Sequence, residues 1–252
     1  MPVPEAKDEI HRLATVLNNT FERLEISFQQ AMRFSADASH ELKTPLTVLR
    51  TSLEALLNSP TLSEADQPTV AGLLEQIHRL SSITSGLLLL ARADAGRLTV
   101  DLQILDFCEL LEACCSDARI MAEPSGIGID VVLPESAPVF GDRTRLMQIV
   151  SNLLDNAIKY NFRGGQVTVC LKKASGMWEL EVANTGPGIA PDHQSHIFKR
   201  FFRPDHFEHV SGHGLGLSLA RELARAHKGT LELAQSDAKW TVFNLKLPAE
   251  GF

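Results

Sequence analysis

Residues 34–49 have the sequence FSADASHELKTPLTVL, in which a histidine precedes a regular series of leucines. The series continues past this stretch with steps of four, three, four and three residues, at Leu42, Leu46, Leu49, Leu53 and Leu56. This spacing predicts a helix with one narrow apolar stripe. At about 100° per residue, His40 lies roughly 160° from the centre of the stripe and is expected to face solvent. Thr44 follows one turn later on the same face, and Glu41 is near enough to orient the imidazole.

Helical patterns also flank this segment. Apolar residues between positions 10 and 28 follow an approximate 3-4 repeat typical of a coiled coil, and no helix breaker occurs before Pro45, which can kink the helix. Residues 58–68 predict a turn. A return helix is predicted to end near Gly96, with an apolar stripe at Leu73, Ile77, Leu80 and Leu87. Two helices with narrow stripes favour pairing of two hairpins into a dimeric four-helix bundle. Packing on the chain's own second half is the alternative.

The second half of the chain mixes helical and strand patterns. Helices are predicted at 106–123, 142–160 and 215–226, and strands at 127–133, 167–173, 178–183, 230–234 and 240–247. Asp142 is a candidate N-cap. Because strands and helices do not alternate strictly, the predicted fold class is a helical hairpin followed by an α/β sandwich, with a mixed sheet covered by helices on one face. The predicted segments are residues 1–28, 29–95, a linker at 96–105, and 106–252.

Composition excludes several classes of protein. The formal net charge of the 252 residues is -7, so nucleic acid is not an expected partner. The four cysteines show neither CxxC nor Cys/His metal spacing and are expected to be small buried residues. The longest leucine run, at 87–90, is too short to cross a bilayer, and no signal peptide begins the chain. We therefore expect a soluble protein or the soluble piece of a longer one.

One motif of the second half is rich in amides. Residues 152–160 read NLLDNAIKY, and the helical repeat brings Asn152, Asn156, Lys159 and Tyr160 onto adjacent turns. Amide oxygens suit Mg²⁺, and a lysine on the same face can contact phosphate oxygens. A helix with solvated amides would give the same pattern without a ligand.

Two glycine-rich motifs follow. Residues 184–189 read NTGPGI directly after a predicted strand, where glycine permits close approach of the backbone to a ligand. Residues 212–217 read GHGLGL at the start of a predicted helix, whose free N–H groups form an anion site. Between them, residues 197–203 read IFKRFFR. A long polar segment bounded by glycines over a ligand site is the expected form of a lid.

These motifs together resemble the sensor histidine kinases of two-component systems. Residues 34–49 closely resemble the phosphoacceptor box, residues 152–160 the N-box, and residues 184–189 and 212–217 the two glycine boxes of the family's ATP-binding domain. Residues 197–203 resemble the F-box, with Lys199 where an acidic residue is common. Asn184 stands where the family usually has an aspartate that accepts the adenine amino proton. The five boxes occur in the family's order.

The resemblance implies autophosphorylation of His40 by MgATP, with Glu41 as general base or orienting group. Thr44 matches the position that orients water in the reverse phosphatase reaction, and Asn156 matches the Mg²⁺ ligand. The implied ATP-binding residues are Asn152, Asn156, Lys159, Tyr160, Asn184, Gly186, Gly188, Ile189, Arg200, Phe201, Arg203, Gly212, His213, Gly214, Leu215, Gly216 and Leu217. Among these, Asn184 and Gly188 would lie near adenine and Arg200 or Arg203 near the γ-phosphate, while Phe198, Phe201 and Phe202 would anchor the lid. Phe198 is also a candidate core residue.

The resemblance also implies partners: a homodimer and a response-regulator receiver domain. Residues 8–28 are similar to the last helix of a HAMP signal-transmission module, which implies that a membrane is reached only through segments upstream. In these terms residues 1–28 are the signalling helix, 29–95 the dimerisation and histidine phosphotransfer domain, and 106–252 the catalytic domain.

Two other classes of function share part of this pattern. An ATP-driven chaperone or topoisomerase-like clamp has a related ATP-binding domain but lacks a phosphoacceptor helix. A catalytically weak kinase acting as a phosphatase or scaffold is favoured only by Asn184. Incubation with γ-labelled ATP would separate the three functions. Label that stays on the protein would support the kinase, release of labelled phosphate the clamp, and nucleotide binding alone the scaffold.

Overall fold

A computed structural model describes residues 6–59, 61–204 and 212–249, and it describes their side chains except at 6–11, 14 and 23–40. The chain divides into two compact units, residues 1–97 and 98–252. Among the described residues, no helix combines the length and the apolar character needed to cross a bilayer.

The first unit is a helical hairpin. Helix α1 spans Ala6–Leu57 and α2 spans Gln67–Asp94, and the two helices pack against each other. Helix α1 continues through Pro45, although this residue has no N–H to donate to the carbonyl four residues earlier. The predicted turn is confirmed, and Gly96 ends the return helix with a φ of 63°, as expected for a glycine stop.

The side chains of α2 that are buried in the hairpin are mostly not those of the predicted stripe. The buried apolar side chains of this helix are Val70, Leu74, Ile77, Leu89 and Leu90. Of the predicted stripe, Ile77 is buried, whereas Leu73, Leu80 and Leu87 are exposed. Helix α2 therefore has a buried apolar face and a second, exposed apolar face with Leu73, Leu80 and Leu87. The periodicity of the sequence could not tell which of the two faces contacts α1.

The second unit is an α/β sandwich, as predicted. Its strands are β1 (Gln103–Asp106), β2 (Gly128–Val132), β3 (Pro138–Gly141), β4 (Gln166–Ala174), β5 (Met177–Thr185), β6 (Thr230–Ser236) and β7 (Trp240–Pro248). Its helices are α3 (Phe107–Ala122), α4 (Arg143–Lys159), α5 (Pro191–Gln194) and α6 (Gly216–Ala226). The main sheet has the order β2-β4-β5-β7-β6, in which β2 and β4 are parallel and the other pairs antiparallel.

The core lies between this sheet and helices α3, α4 and α6. Alternate residues of β5 are buried, and α4 packs against this strand. The opposite face carries surface ion pairs, for example between Lys172 and Glu181. The mixed sheet with helices on one face is therefore confirmed.

A second, two-stranded sheet was not predicted. Strands β1 and β3 pair antiparallel, and β1 begins inside the segment predicted as a linker. The Trp178 indole donates to the Pro138 carbonyl at 3.0 Å and joins the two sheets. Asp106, the N-cap of α3, accepts hydrogen bonds from the Ser136 hydroxyl and from two backbone N–H groups. These bonds hold the pKa of the Asp106 carboxyl below its ordinary value.

Candidate functional site

The predicted phosphoacceptor residues lie on α1. The backbone of His40 is helical, and its side chain, with the predicted solvent-facing position, lies outside the described residues. Glu41 and Thr44 are exposed to solvent. Thr44 follows His40 by one helical turn, so the two residues share a face of α1. The Glu41 carbonyl lacks the usual helical hydrogen bond, because the residue four positions later is Pro45, which has no N–H.

Helix α4 presents the predicted amide face in the second unit. Asp142 caps this helix by accepting the Arg145 N–H at 3.1 Å, which confirms the expected N-cap. Asn152 and Asn156 lie one turn apart at the border of the buried face. The Asn152 Nδ2 atom is buried, and no described residue provides it with a hydrogen-bond partner. Buried amides are rarely left unpaired, so this atom marks a place for a ligand or water.

The start of α6 lies beside that amide. A Cβ atom built on Gly216 would lie 3.4 Å from Asn152 Oδ1, so the two helices approach closely there. Leu215 occupies the N-cap position of α6 without a side-chain hydrogen bond to the backbone. The first N–H groups of α6 are therefore not capped by that side chain, which is the arrangement of an anion-binding helix terminus.

The second glycine box is joined to the F-box. The Phe201 N–H donates to the Gly214 carbonyl at 2.9 Å, and the Arg203 guanidinium donates to the Gly212 carbonyl at 3.0 Å. A Cβ on Gly214 would lie 2.7 Å from the carbonyl carbon of Phe201, and its φ is 70°. Glycine is thus required at this position. His213 and Leu217 are partly exposed beside it, and residues 205–211 of the predicted lid lie outside the described residues.

The three phenylalanines of the F-box have different environments. Phe198 packs edge-on against Phe243 of β7, which agrees with the core interpretation. Phe202 contacts the rings of His193 and His196. Phe201 does not anchor the segment as expected, because it is 57% exposed. Its φ of 59° is unusual for a residue with a side chain and turns its N–H toward Gly214.

The first glycine box follows β5. Asn184 is only 4% exposed and lies on the helix-facing side of the strand. Its Nδ2 donates to the Thr185 carbonyl at 2.8 Å, which leaves Oδ1 as the acceptor. A Cβ on Gly186 would collide with the Tyr160 carbonyl oxygen, and one on Gly188 with the backbone of the β6–β7 turn.

That turn also fixes the end of the glycine box. The Ile189 N–H donates to the Ser236 hydroxyl at 2.8 Å. Ser236 was not identified from the sequence, because a lone serine at the end of a strand carries no distinctive signal.

Basic and phenolic groups surround the C-terminal end of α4. Lys159 forms an ion pair with Asp155, with 2.6 Å between Nζ and Oδ2, and both side chains are about one-third exposed. Burial raises the pKa of the Tyr160 phenol, while nearby Arg203 opposes this shift. Arg200 is exposed. Lys159 therefore needs to leave or share Asp155 in order to contact a phosphate.

His227 is a second residue that sequence reasoning missed. It is almost completely buried at the end of α6, where Nδ1 lies 2.7 Å from the Leu223 carbonyl and Nε2 accepts the Asp142 N–H at 3.0 Å. Nδ1 is consequently the protonated nitrogen. Burial lowers the pKa of the imidazole. His227 thus joins the end of α6 to the start of α4.

The cysteines agree with the sequence interpretation. Cys108, Cys114 and Cys115 are buried and Cys170 is half-buried, and all four are free thiols. Burial raises the pKa of both Cys108 and Cys115 to about 11, so these thiols are protonated at neutral pH.

Two family models match the chain. Residues 30–96 match the His Kinase A (phospho-acceptor) domain. Residues 141–251 match the histidine kinase-, DNA gyrase B-, and HSP90-like ATPase. The first range contains His40, and the second contains the amide face of α4 and both glycine boxes.

Relatives and solved structures are similar over both units. Signal transduction histidine-protein kinase BaeS of Escherichia coli (strain K12) is 33% identical over 98% of this chain and 53% of its own length. Signal transduction histidine-protein kinase/phosphatase MprB of Mycolicibacterium smegmatis is 34% identical over 93% of this chain and 48% of its own length. The crystal structure of full-length ShkA in complex with AMPPNP superposes on this chain with a TM-score of 0.72 and 29% sequence identity. The match covers 85% of this chain and 45% of the ShkA chain. The chain spans about half the length of these proteins.

Proposed function

Because this chain belongs to the sensor histidine kinases of two-component systems, we propose that it transfers the γ-phosphoryl group of ATP to its own His40. A ring nitrogen of His40 attacks the γ-phosphorus in line. The bond between the γ-phosphorus and the bridging oxygen breaks, ADP leaves with the electron pair, and the ring loses its N–H proton. The phosphoryl group then passes to an aspartate of a response-regulator receiver domain.

The observation that carries this proposal is the buried Asn152 amide, whose nitrogen has no hydrogen-bond partner among the described residues, beside the start of α6. Phosphate oxygens at this position would accept from the free N–H groups of Gly216 and Leu217 and from the amide. Gly212, His213, Gly214 and Leu215 would complete the loop around the phosphates. Catalysis would depend mainly on positioning and neutralisation of charge.

The adenine base would lie at the end of β5. Asn184 Oδ1 would accept the adenine amino proton, because the amide nitrogen already donates to Thr185. Gly186 and Gly188 have no side chains to fill the space near the base, and Ile189 would contact its face.

Mg²⁺ would be held by the Asn156 amide oxygen together with phosphate oxygens, and when bound it would neutralise the charge that develops on them. Such a site does not need a cage of acidic residues, and within the described ranges no group of three His, Cys, Asp or Glu side chains could form one. Lys159 and Tyr160 would border the phosphates. Arg200 and Arg203 would approach the γ-phosphate with the lid, while Phe201 would contact the nucleotide.

On the acceptor helix, Glu41 would accept the His40 ring proton or fix the ring's tautomer. Thr44, on the same face one turn away, would orient water for removal of the phosphoryl group from the response regulator. This second activity is consistent with the kinase/phosphatase name of MprB.

The exposed leucines of the hairpin support a homodimer. Leu73 and Leu80 of α2 are each 49% exposed, and Leu42 and Leu49 of α1 are similarly exposed. Two hairpins could bury these stripes in a four-helix bundle. Residues 8–28 would connect the bundle to a sensor and to membrane segments upstream.

Incubation with γ-labelled ATP tests the reaction class. The kinase proposal requires label that stays on the protein and is labile to acid. Release of labelled phosphate without protein label would instead support a clamp-like ATPase, and nucleotide binding without either product would support a scaffold.

A further inference from the structure

A groove of about 490 Å³ lies between α6 and the outer strand β6 of the main sheet. None of the residues assigned above to ATP, Mg²⁺ or phosphoryl transfer lines it. The groove is bordered by Phe198 of the F-box and by Arg221 and Arg225 on successive turns of α6. Its volume is typical of a site for a small organic molecule.

The two arginines differ in what they contact. Arg225 forms an ion pair with Glu222, with 2.9 Å between Nη1 and the carboxylate. Arg221 lies with its guanidinium carbon 4.7 Å from the centroid of the Phe198 ring. The buried Nε of Arg221 has no hydrogen-bond partner in the part of the chain that the structure describes. Leaving a buried charged donor unsatisfied is costly, so an oxyanion at this point would be stabilised.

The remaining wall of the groove is mixed in character, with two leucines beside polar residues: Gln194, Thr230, Leu231, Glu232 and Leu233. Leu231 and Leu233 are the less exposed residues of this part of β6 and supply the apolar surface of the groove. Glu232 is the one acidic residue among the lining residues, against the two arginines of α6. The groove thus places the guanidinium of Arg221 beside the apolar side chains of Phe198 and Leu233.

We propose that this groove binds a small organic anion, with its oxyanion bonded to Arg221 and its apolar part packed on Phe198 and Leu233. A planar guanidinium can donate two parallel hydrogen bonds to a carboxylate or a phosphate. The site differs from the proposed ATP phosphate site, which lies at the start of α6, whereas Arg221 is in the middle of this helix.

Phenyl phosphate serves as the probe, titrated into the full chain in the presence of saturating AMPPNP. Calorimetry gives its affinity, and the NMR signal of the Arg221 Nε–H reports its location. We expect phenyl phosphate to bind more tightly than phenol, which lacks the charge, and than inorganic phosphate, which lacks the ring. We also expect the Arg221 Nε–H signal to shift.

Arg221→Gln is expected to weaken binding by about tenfold or more. Arg221→Lys, which keeps the charge but not the planar donor pair, is expected to weaken it less but measurably. Arg119→Gln, on the exposed part of α3, is the matched control for loss of one arginine and should bind as the unmodified chain does. Unchanged thermal unfolding of the variants shows that they are folded. Equal affinity in Arg221→Gln, or no binding to the unmodified chain, would overturn the proposal.

Discussion

Asn184 is the second-to-last residue of β5, its side chain is buried, and one neighbour decides how its amide is oriented. The Thr185 carbonyl can only accept a hydrogen bond, so the Asn184 nitrogen must face it at 2.8 Å. The oxygen remains as the acceptor, which is what the proposed contact with the adenine amino group requires.

Asn184→Asp is expected to lower the stability of the nucleotide-free chain and to keep or strengthen ATP binding. The carboxylate cannot donate to Thr185, and loss of that buried bond costs about 1–3 kcal/mol. In the complex, the carboxylate is a better acceptor for the adenine amino group. Thermal unfolding followed by tryptophan fluorescence, with and without ATP, measures both effects.

Both tryptophans of the chain, Trp178 and Trp240, belong to the second unit, so their fluorescence reports on that unit alone. The exposed Asn58→Asp in the hairpin is the control. Absence of an ATP-dependent shift in Asn184→Asp would show that the assignment of the adenine contact is wrong.

At the scale of elements, α4 organises the nucleotide site. Asp142 caps its start, the amides of Asn152 and Asn156 lie along its length, and Tyr160 follows its end against the first glycine box. His227 joins its start to the end of α6 through the hydrogen bond from the Asp142 N–H. The relative placement of α4 and α6, which together carry the proposed phosphate site, thus rests on their direct packing and on this buried imidazole.

This linkage makes the second unit sensitive to acid. The pKa of His227 is below its ordinary value of 6.5, so an unfolded chain binds a proton there before the folded chain does. The stability contributed by neutral His227 is therefore complete above about pH 7 and is lost progressively as the pH falls below about 6.5.

We expect His227→Gln to destabilise the second unit by about 1–2 kcal/mol at pH 8, because the accepted and donated bonds are lost or weakened. The difference between the unmodified chain and the variant should shrink from pH 8 to pH 5. Urea unfolding followed by tryptophan fluorescence measures it, with the exposed His78→Gln as control. A difference that stays constant over this range would contradict the account.

Asn156→Ala is expected to abolish autophosphorylation, because the only proposed protein ligand of Mg²⁺ is removed. Ser151→Ala, an exposed substitution on the same helix, should leave label transfer unchanged. Label transfer in Asn156→Ala at the rate of the unmodified chain would remove Asn156 from the metal site.

The elements that the sequence predicted correctly have strong local signals. Helix α4 has an N-cap aspartate and a clear apolar period, and β5 alternates over nine residues. Strands β1 and β3 were missed because four residues are too few for a periodic signal, and they pair across 31 intervening residues. The environment of Phe201 was also not predictable, because its positive φ depends on the distant Gly214.

At the scale of the whole molecule, a single hairpin leaves much of its apolar surface uncovered. The buried face of α2 packs on α1, and the second face, with Leu73, Leu80 and Leu87, remains exposed. Several large apolar side chains exposed along one helix indicate an interaction surface. Association of two chains through this surface is the simplest arrangement that covers it.

We expect Leu80→Glu to shift the chain from dimer to monomer, because a charge would then be buried in the bundle. Ser82→Glu, at a nearby exposed position, should leave the dimer intact. Sedimentation velocity measures the mass of each variant, and a chain that is monomeric without any substitution would contradict the dimer proposal.

Incubation of the His40→Gln variant with γ-labelled ATP shows whether His40 is the residue that accepts the phosphoryl group. We expect acid-labile label on the unmodified chain and none on His40→Gln, with ATP binding equal in both. Label of the same amount on His40→Gln would contradict this role of His40.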